Sequence, residues 1–275
     1  MIAYDTHLHT NFSSDSDTPL KTQLEQAVNL GLKGIYITDH MDYEFPLDQI
    51  DFPIPNNQPP FWFDEIQYRK TIQEFRTYFP NLFIGIGVEC GLQMNPTVLS
   101  QNRLLCENSE WDYIIGSLHL VHQQDPYYPV FWEGKDASQC VMQYFEELFH
   151  NLVEFHEFDS LGHLDYIVRY APSNFLYQPQ DYFEILREII QLLLRKDIAL
   201  EINSSGLKAS NMPNPHLDIL HLYKSLGGEL ITIGSDAHTS EYMCYQFEQV
   251  AALMKTAGLH EYVTYKNRKP TFHSL

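Results

Sequence analysis

Asp5-Thr6-His7-Leu8-His9, at the end of the apolar run Ile2–His7, is the stretch on which the reading of the chain turns. Side chains alternate faces along a strand, so His7 and His9 stand on one face, where two imidazoles can chelate one ion. The same design, an apolar run closing on polar residues, returns six more times. Gly34–Thr38 closes on Asp39-His40, Leu82–Glu89 on Glu89-Cys90, and Tyr113–His119 on Ser117-Leu118-His119. Phe158–His163 closes on His163-Leu164-Asp165, Ile198–Asn203 on Asn203-Ser204-Ser205, and Leu230–Ser235 on Ser235-Asp236-Ala237-His238. Between these runs lie segments with helical periodicity: Lys21–Leu30, Phe63–Tyr78, Thr97–Asn108, Ala137–Glu154, Asp181–Arg195, Pro215–Leu226 and Glu241–Thr256.

Seven strand–helix alternations predict an α/β architecture around a parallel sheet. Neither GxGxxG nor GxxxxGK[ST] follows the first run, so an open nucleotide-binding sheet lacks its signature and a closed barrel is favoured. Active sites of such barrels lie at the C-terminal ends of the strands. Six of the seven runs end there in His, Asp or Glu. Asp181-Tyr182-Phe183-Glu184 has the spacing of a capping box. Gly31 and Gly258 sit where helix C-terminal glycines belong.

With 275 residues, 44% hydrophobic and 19% charged, the chain can bury a sizeable core, which excludes wholesale disorder. The net charge of −19, with no basic stripe, excludes nucleic acid and anionic membrane as partners. A small phosphorylated substrate stays compatible, because bound divalent ions invert the local field. No apolar run reaches the roughly 18 residues of a membrane span, and the N-terminus has no secretory pattern. Cys90, Cys106, Cys140 and Cys244 form no CxxC pair and read as small buried hydrophobes in a reducing, cytoplasmic setting. No linker divides the sequence, so residues 1–275 are expected to form one domain. The long loops Tyr43–Pro60, Gln123–Lys135 and Tyr170–Gln180 are candidates for the rim of a site.

A single histidine at a strand end reads as a hydrogen-bonded structural residue. The set reads differently, because buried imidazoles and carboxylates are costly unless paired or metal-bound. Imidazole and carboxylate without thiolate suit Zn, Fe or Mn. So many donors exceed the capacity of one tetrahedral zinc, which implies at least two ions and a bridging carboxylate. His122, His150, His156, His216, His221, His260 and His273 fall on helices or loops and read as structural or exposed.

Asp5-Thr6-His7-Leu8-His9, Thr38-Asp39-His40, Gly87-Val88-Glu89, Gly116-Ser117-Leu118-His119, Gly162-His163 and Gly234-Ser235-Asp236-Ala237-His238 resemble the ordered motifs of the PHP (polymerase and histidinol phosphatase) superfamily. Asn203-Ser204-Ser205-Gly206-Leu207 and Lys266-Asn267-Arg268-Lys269-Pro270 look like those of its stand-alone histidinol-phosphate phosphatases. The resemblance implies a distorted (β/α)7 TIM-like barrel with a trinuclear site of Zn, Fe or Mn. Carried over position by position, His7, His9, Glu89 and Asp236 would hold the first ion. Glu89 would bridge to a second, completed by His119 and His163. Asp15, His40 and His238 would hold a third, with aspartate at Asp15 where some members have histidine.

The implied activity is hydrolysis of L-histidinol phosphate to L-histidinol and inorganic phosphate, in histidine biosynthesis. A hydroxide bridging two ions would attack phosphorus in line, without a phospho-enzyme. Arg169, six residues past His163, is a candidate phosphate clamp. Asp17 and Asp165 are candidates to orient substrate or protonate the leaving alkoxide. Asn203, Ser204 and Lys208 are candidate substrate contacts. Tyr127, Tyr128, Phe131 and Trp132 could wall an imidazole pocket or form a small loop core. Competing readings are a PHP phosphoesterase acting on a small nucleotide or other phosphomonoester, a metal-dependent amidohydrolase, and a catalytically silent scaffold. No lysine ends a run, which counts against the amidohydrolase, and the donor set is complete, which counts against the scaffold.

Overall fold

All seven expected strands are present and parallel. The computed structural model describes residues 2–52 and 59–275, so part of the Tyr43–Pro60 loop lies outside the described residues. The strands are β1 (Tyr4–Leu8), β2 (Gly34–Ile37), β4 (Phe83–Gly91), β5 (Tyr113–Ser117), β6 (Ser160–Leu161), β7 (Ala199–Asn203) and β8 (Ile231–Gly234), joined in that order. A short extra strand, β3 (His40–Met41), pairs with the far end of β4 in the register His40↔Glu89. This pairing brings two candidate metal ligands side by side.

The seven expected helices are α1 (Leu20–Asn29), α2 (Glu65–Tyr78), α3 (Pro96–Glu107), α4 (Ala137–Glu154), α5 (Phe183–Arg195), α7 (Leu217–Ser225) and α8 (Phe247–Thr256), the last beginning six residues later than expected after a 3-10 turn at Ser240–Tyr242; a short α6 (Gly206–Ala209) was not expected. Local chemistry sets several starts. Asp64, Asn95 and Asp136 accept backbone N–H groups at the heads of α2, α3 and α4. Gly31 and Gly258 take positive φ after α1 and α8, as expected. The Asp181 capping box does not form. Asp181 lies in a 3-10 turn, Pro179–Tyr182, and α5 begins after Tyr182 with no side-chain cap. Pro179 favours that preceding turn, and the apolar face of α5 is buried by packing instead.

β8 and β1 meet only near their C-terminal ends. Leu8 bridges Ala237, and the backbone of Asp236 donates to His7 O at 2.9 Å. Below that point side chains replace the ladder. The Thr6 hydroxyl donates to Ile233 O, and the Asp5 carboxylate accepts from the backbone of Ser235 and Cys244. The result is a distorted, nearly closed barrel with one main apolar core running from Ile2 to Tyr262.

The C-terminal residues form a hairpin that sequence reading left unassigned, β9 (Glu261–Lys266) with β10 (Lys269–Ser274). Asn267 and Arg268 both have positive φ at its turn. Val263 and Tyr265 pack with Tyr36, Tyr113 and Ala199 against the N-terminal side of the barrel, opposite the strand ends that carry the histidines. Among the described residues no helix is long and apolar enough to cross a membrane.

Candidate metal centre and its cavity

Glu89 is the hub. It is fully buried at the end of β4 and touches five imidazoles. Its Oε2 lies 3.1 Å from His7 Nε2, 3.4 Å from His9 Nε2 and 3.0 Å from His40 Nδ1. Its Oε1 lies 3.2 Å from His119 Nε2 and 2.9 Å from His163 Nε2. Asp236 Oδ1 adds a further donor 3.3 Å from His9 Nε2 and 3.8 Å from His7 Nε2. Asp236 holds φ +54, a left-handed backbone uncommon outside glycine that is often kept at functional sites. A third group lies nearer the surface, where Asp15 Oδ2 sits 3.0 Å from His238 Nε2 and 3.6 Å from His40 Nε2. The His9 ring stacks between those of His238 and His40, with centroids 4.1 and 4.3 Å away.

The proton positions decide what these contacts are for. His7 Nδ1 faces Glu201 Oε1 at 2.6 Å, and His119 Nδ1 faces Asp42 Oδ1 at 2.9 Å. A carboxylate accepts only, so each Nδ1 carries a proton, and in the neutral ring each Nε2 presents a lone pair toward Glu89. An imidazole nitrogen facing a carboxylate oxygen needs a cation between them, a second ring proton or a metal ion. The buried atoms His7 Nε2, His9 Nε2, His40 Nδ1 and Glu89 Oε2 indeed have no hydrogen-bond partner among the described residues. Donors about 3.3 Å apart are what metal–nitrogen bonds of about 2.0–2.1 Å in a tetrahedron require. Several such groups overlap, among them His7, His9 and Glu89; Glu89, His119 and His163; and His9, His40 and His238. The arrangement fits a multinuclear metal site.

Burial and charge balance tightly here. Burial alone would raise the Glu89 carboxyl, but positive charge at His7, His40 and His119 holds it well below its usual range. Without an ion that charge is a second ring proton: against the effect of burial, Glu201 and Glu89 draw His7 up, Glu89 and Asp15 draw His40 up, and Asp42 and Glu89 raise His119 to about 10. Burial lowers His9, helped by His238 and His40, to about 3, so its imidazole is neutral and ready to ligate.

The holding groups beyond the donors were largely missed in the sequence. Glu201 also accepts from the His163 backbone at 2.8 Å and from Asn203 Nδ2 at 3.1 Å. Ser13 Oγ lies 3.1 Å from His9 Nδ1 and donates to Asp39 at 2.8 Å, which ties His9 to a buried carboxylate through one hydroxyl. Two glycines make room. A Cβ on Gly234 would overlap His7 Cβ, and one on Gly91 would overlap the Asp42 carboxylate. Glu201 lies inside the apolar run Ile198–Asn203 with no signal of its role, and nothing local marks Asp42 or Ser13.

The donors open onto a cavity of about 480 Å³. Arg169 lines it. Its guanidinium donates to Asn214 Oδ1 at 2.7 Å, Asn203 Oδ1 at 2.9 Å and Asp236 Oδ2 at 3.2 Å. Five N–H donors with three committed leave two for a ligand. Lys208 also lines the cavity, with Nζ 3.9 Å from the Tyr242 ring centroid.

The other expected contacts separate. Asp17 is exposed and is not part of the cavity wall. Asp165 is buried, with its oxygens taken by Asn214 Nδ2 at 2.6 Å and the His216 backbone at 2.9 Å. Neither lines the cavity. Asp165 steadies Asn214, which steadies Arg169. Asn203 is buried between Arg169, Ser205 and Asp236, and Ser204 is buried off the cavity wall. Ser205, not singled out as a substrate contact from sequence, lines the cavity. Of the four loop aromatics, Tyr127 and Tyr128 face the cavity, whereas Phe131 and Trp132 are buried in the core. None of the seven remaining histidines lines it.

Comparison with known proteins agrees with this geometry. The PHP domain family profile matches residues 5–205. The chain belongs to the PHP domain family. A Clostridium acetobutylicum member named as a probable histidinol-phosphatase is 31% identical over 264 residues, covering 94% of this chain and 95% of its own. The histidinol-phosphatase of Lactococcus lactis subsp. lactis is 30% identical over 267 residues, covering 96% of this chain and 95% of its own. The crystal structure of histidinol phosphate phosphatase from Lactococcus lactis, complexed with zinc, L-histidinol and phosphate, aligns with a TM-score of 0.84 at 27% identity. That alignment covers 98% of this chain and 99% of the other. Within the PHP family, then, this chain matches the phosphatases along nearly their full length.

Proposed function

We propose that this PHP protein hydrolyses L-histidinol phosphate to L-histidinol and inorganic phosphate, a step in histidine biosynthesis. The observation that carries the reading is the convergence of five imidazole nitrogens on Glu89 at the floor of a cavity that also holds Arg169. Full-length likeness to a phosphatase crystallised with zinc, L-histidinol and phosphate supports the same substrate. In this reading three divalent ions, Zn, Fe or Mn, are held by His7, His9, Glu89 and Asp236; by Glu89, His119 and His163; and by Asp15, His40 and His238. Bound there, the ions supply a water of lowered pKa and positive charge for the phosphoryl oxygens.

The protein's own groups do the rest. Glu201 and Asp42 keep the proton on Nδ1 of His7 and His119, so that Nε2 stays a ligand. Arg169 turns its two free N–H groups on the phosphoryl oxygens and stabilises charge as it builds there. Asn203, Asn214 and Asp236 hold the guanidinium in one pose, so little orientation is lost on binding. One main apolar core from Ile2 to Tyr262 supports one domain over residues 1–275, and four free cysteines support a reducing, cytoplasmic setting.

The test is phosphate release by metal-reconstituted protein from L-histidinol phosphate beside a panel of sugar phosphates and nucleotides. A kcat/KM at least about a hundredfold above the panel, roughly 2.7 kcal/mol of discrimination, is expected. Comparable turnover across the panel overturns the substrate and leaves the phosphoesterase chemistry.

A further inference from the structure

Asp125 is a carboxylate that the metal centre does not use. It is 9% exposed, lines the cavity, and forms no ion pair with any Lys or Arg among the described residues. One oxygen, Oδ1, accepts from the Tyr127 backbone at 2.8 Å; Oδ2 has no partner among the described residues. Burying a half-satisfied carboxylate is unfavourable unless a ligand completes it. Burial pushes its carboxyl up to about 6.

The backbone around it is built to hold it still. His122 and Gln123, both at positive φ, make a tight turn closed by Val121 and Gln124, which leads directly into Asp125. The Asp125 backbone donates to Gln49 Oε1 at 2.7 Å, and Gln49 Nε2 donates back to Gln123 O at 2.6 Å. Tyr128 N closes a turn onto Asp125 O, with Pro126 at its second position, and Trp132 Nε1 donates to Pro126 O.

Aromatic rings separate this carboxylate from Arg169. Tyr127 packs on Tyr170 at 5.3 Å, Tyr170 on Tyr166 at 5.2 Å, and the Arg169 guanidinium lies 5.4 Å over Tyr166. One cavity thus offers cationic donors for an anion at one side and a fixed anion among tyrosines at the other.

We propose that Asp125 is a specificity-determining residue that selects phosphate monoesters whose alcohol carries a cation, an ammonium or an imidazolium, and rejects esters of neutral alcohols. This deepens the proposed function and rests on it for the reaction, but not for the identity of the alcohol.

The experiment compares Asp125→Asn with the parent, both metal-reconstituted, on L-histidinol phosphate, ethanolamine phosphate and glycerol 3-phosphate. Asparagine keeps the acceptor for Tyr127 N and removes only the charge. Loss of about tenfold or more in kcat/KM on the two cationic esters, with glycerol phosphate changed less than about twofold, is expected. Inhibition by L-histidinol should weaken likewise while inhibition by inorganic phosphate does not, and Asp125→Glu should restore part of the preference. Equal losses on all three esters, or an unchanged preference in Asp125→Asn, overturns the proposal. A parent that favours ethanolamine phosphate over L-histidinol phosphate, with that preference lost in Asp125→Asn, overturns the proposed substrate and upholds the role of Asp125.

Discussion

Glu201→Gln tests the argument about proton positions most directly. Three donors face the Glu201 carboxylate: His7 Nδ1 at 2.6 Å, His163 N at 2.8 Å and Asn203 Nδ2 at 3.1 Å. A glutamine has one acceptor oxygen and one donating NH2 to offer them. Turned with its oxygen toward His7, it sets its NH2 against two further donors in a fully buried place. Turned the other way, it donates to His7 Nδ1 and drives the ring proton onto Nε2, where it faces Glu89 in place of an ion. Losing one hydrogen bond to a charged group costs about 1.5–3 kcal/mol. Removing an orienting partner behind a metal-bound histidine costs about 10–100-fold in metal affinity or activity. The two figures agree, since each tenfold step is about 1.4 kcal/mol. Competition with a chromogenic chelator should therefore show metal dissociation constants raised by about 10–100-fold, with excess metal restoring much of kcat. A folded Glu201→Gln protein that binds metal within about twofold of the parent would refute the tautomer argument.

Asp42→Asn should weaken the His119 side of the site in the same manner, by about tenfold or more in metal affinity, read by metal content after dialysis. Arg169→Ala should lower kcat/KM on L-histidinol phosphate by about a hundredfold or more while metal content stays at the parental level; unchanged kcat/KM removes Arg169 from the reaction. Chelation should abolish turnover and lower Tm, with recovery of both on adding Zn, Mn or Fe. Asp125→Asn should stabilise the protein as it loses selectivity. The folded-state carboxyl titrates near 6 against 3.8 unfolded, because burial outweighs the nearby His119 and His40, with Asp42 adding to the rise. Its destabilising effect is therefore absent below about pH 4 and full above about pH 6, with a ceiling of about 3 kcal/mol. The Tm gain of the variant should appear between those pH values and level off; a gain independent of pH would refute it.

The strand ends were legible because the signals are local. His7 and His9 obey the period of two, and runs such as Ile198–Asn203 and Leu230–Ser235 lie within a residue of β7 and β8. The β9–β10 hairpin was not, since its turn residues Asn267 and Arg268 lack the glycine that usually marks such a turn. The short β3 escaped because two residues carry no periodicity, yet its register with β4 brings His40 to Glu89. Asp17 and Asp165 were attractive by proximity in sequence to candidate ligands. The folded chain leaves one in solvent and turns the other toward Asn214, because a neighbour in sequence on a loop or turn need not share a face with the ligand beside it.

By itself the sequence determined the parallel α/β barrel, the end of the barrel that carries the chemistry, and the residue types that meet there. Those follow from alternation along strands and from the cost of burying unpaired imidazoles and carboxylates. Tertiary structure alone decided which carboxylate holds which imidazole, that Ser205 and Asp125 face the cavity, and that Asp165 serves Arg169 through Asn214. The His7–Glu201 contact joins residues 194 apart in the chain. Such a pairing is created by sheet register and barrel closure, and hydrogen bonds at that separation leave no periodic trace along the chain.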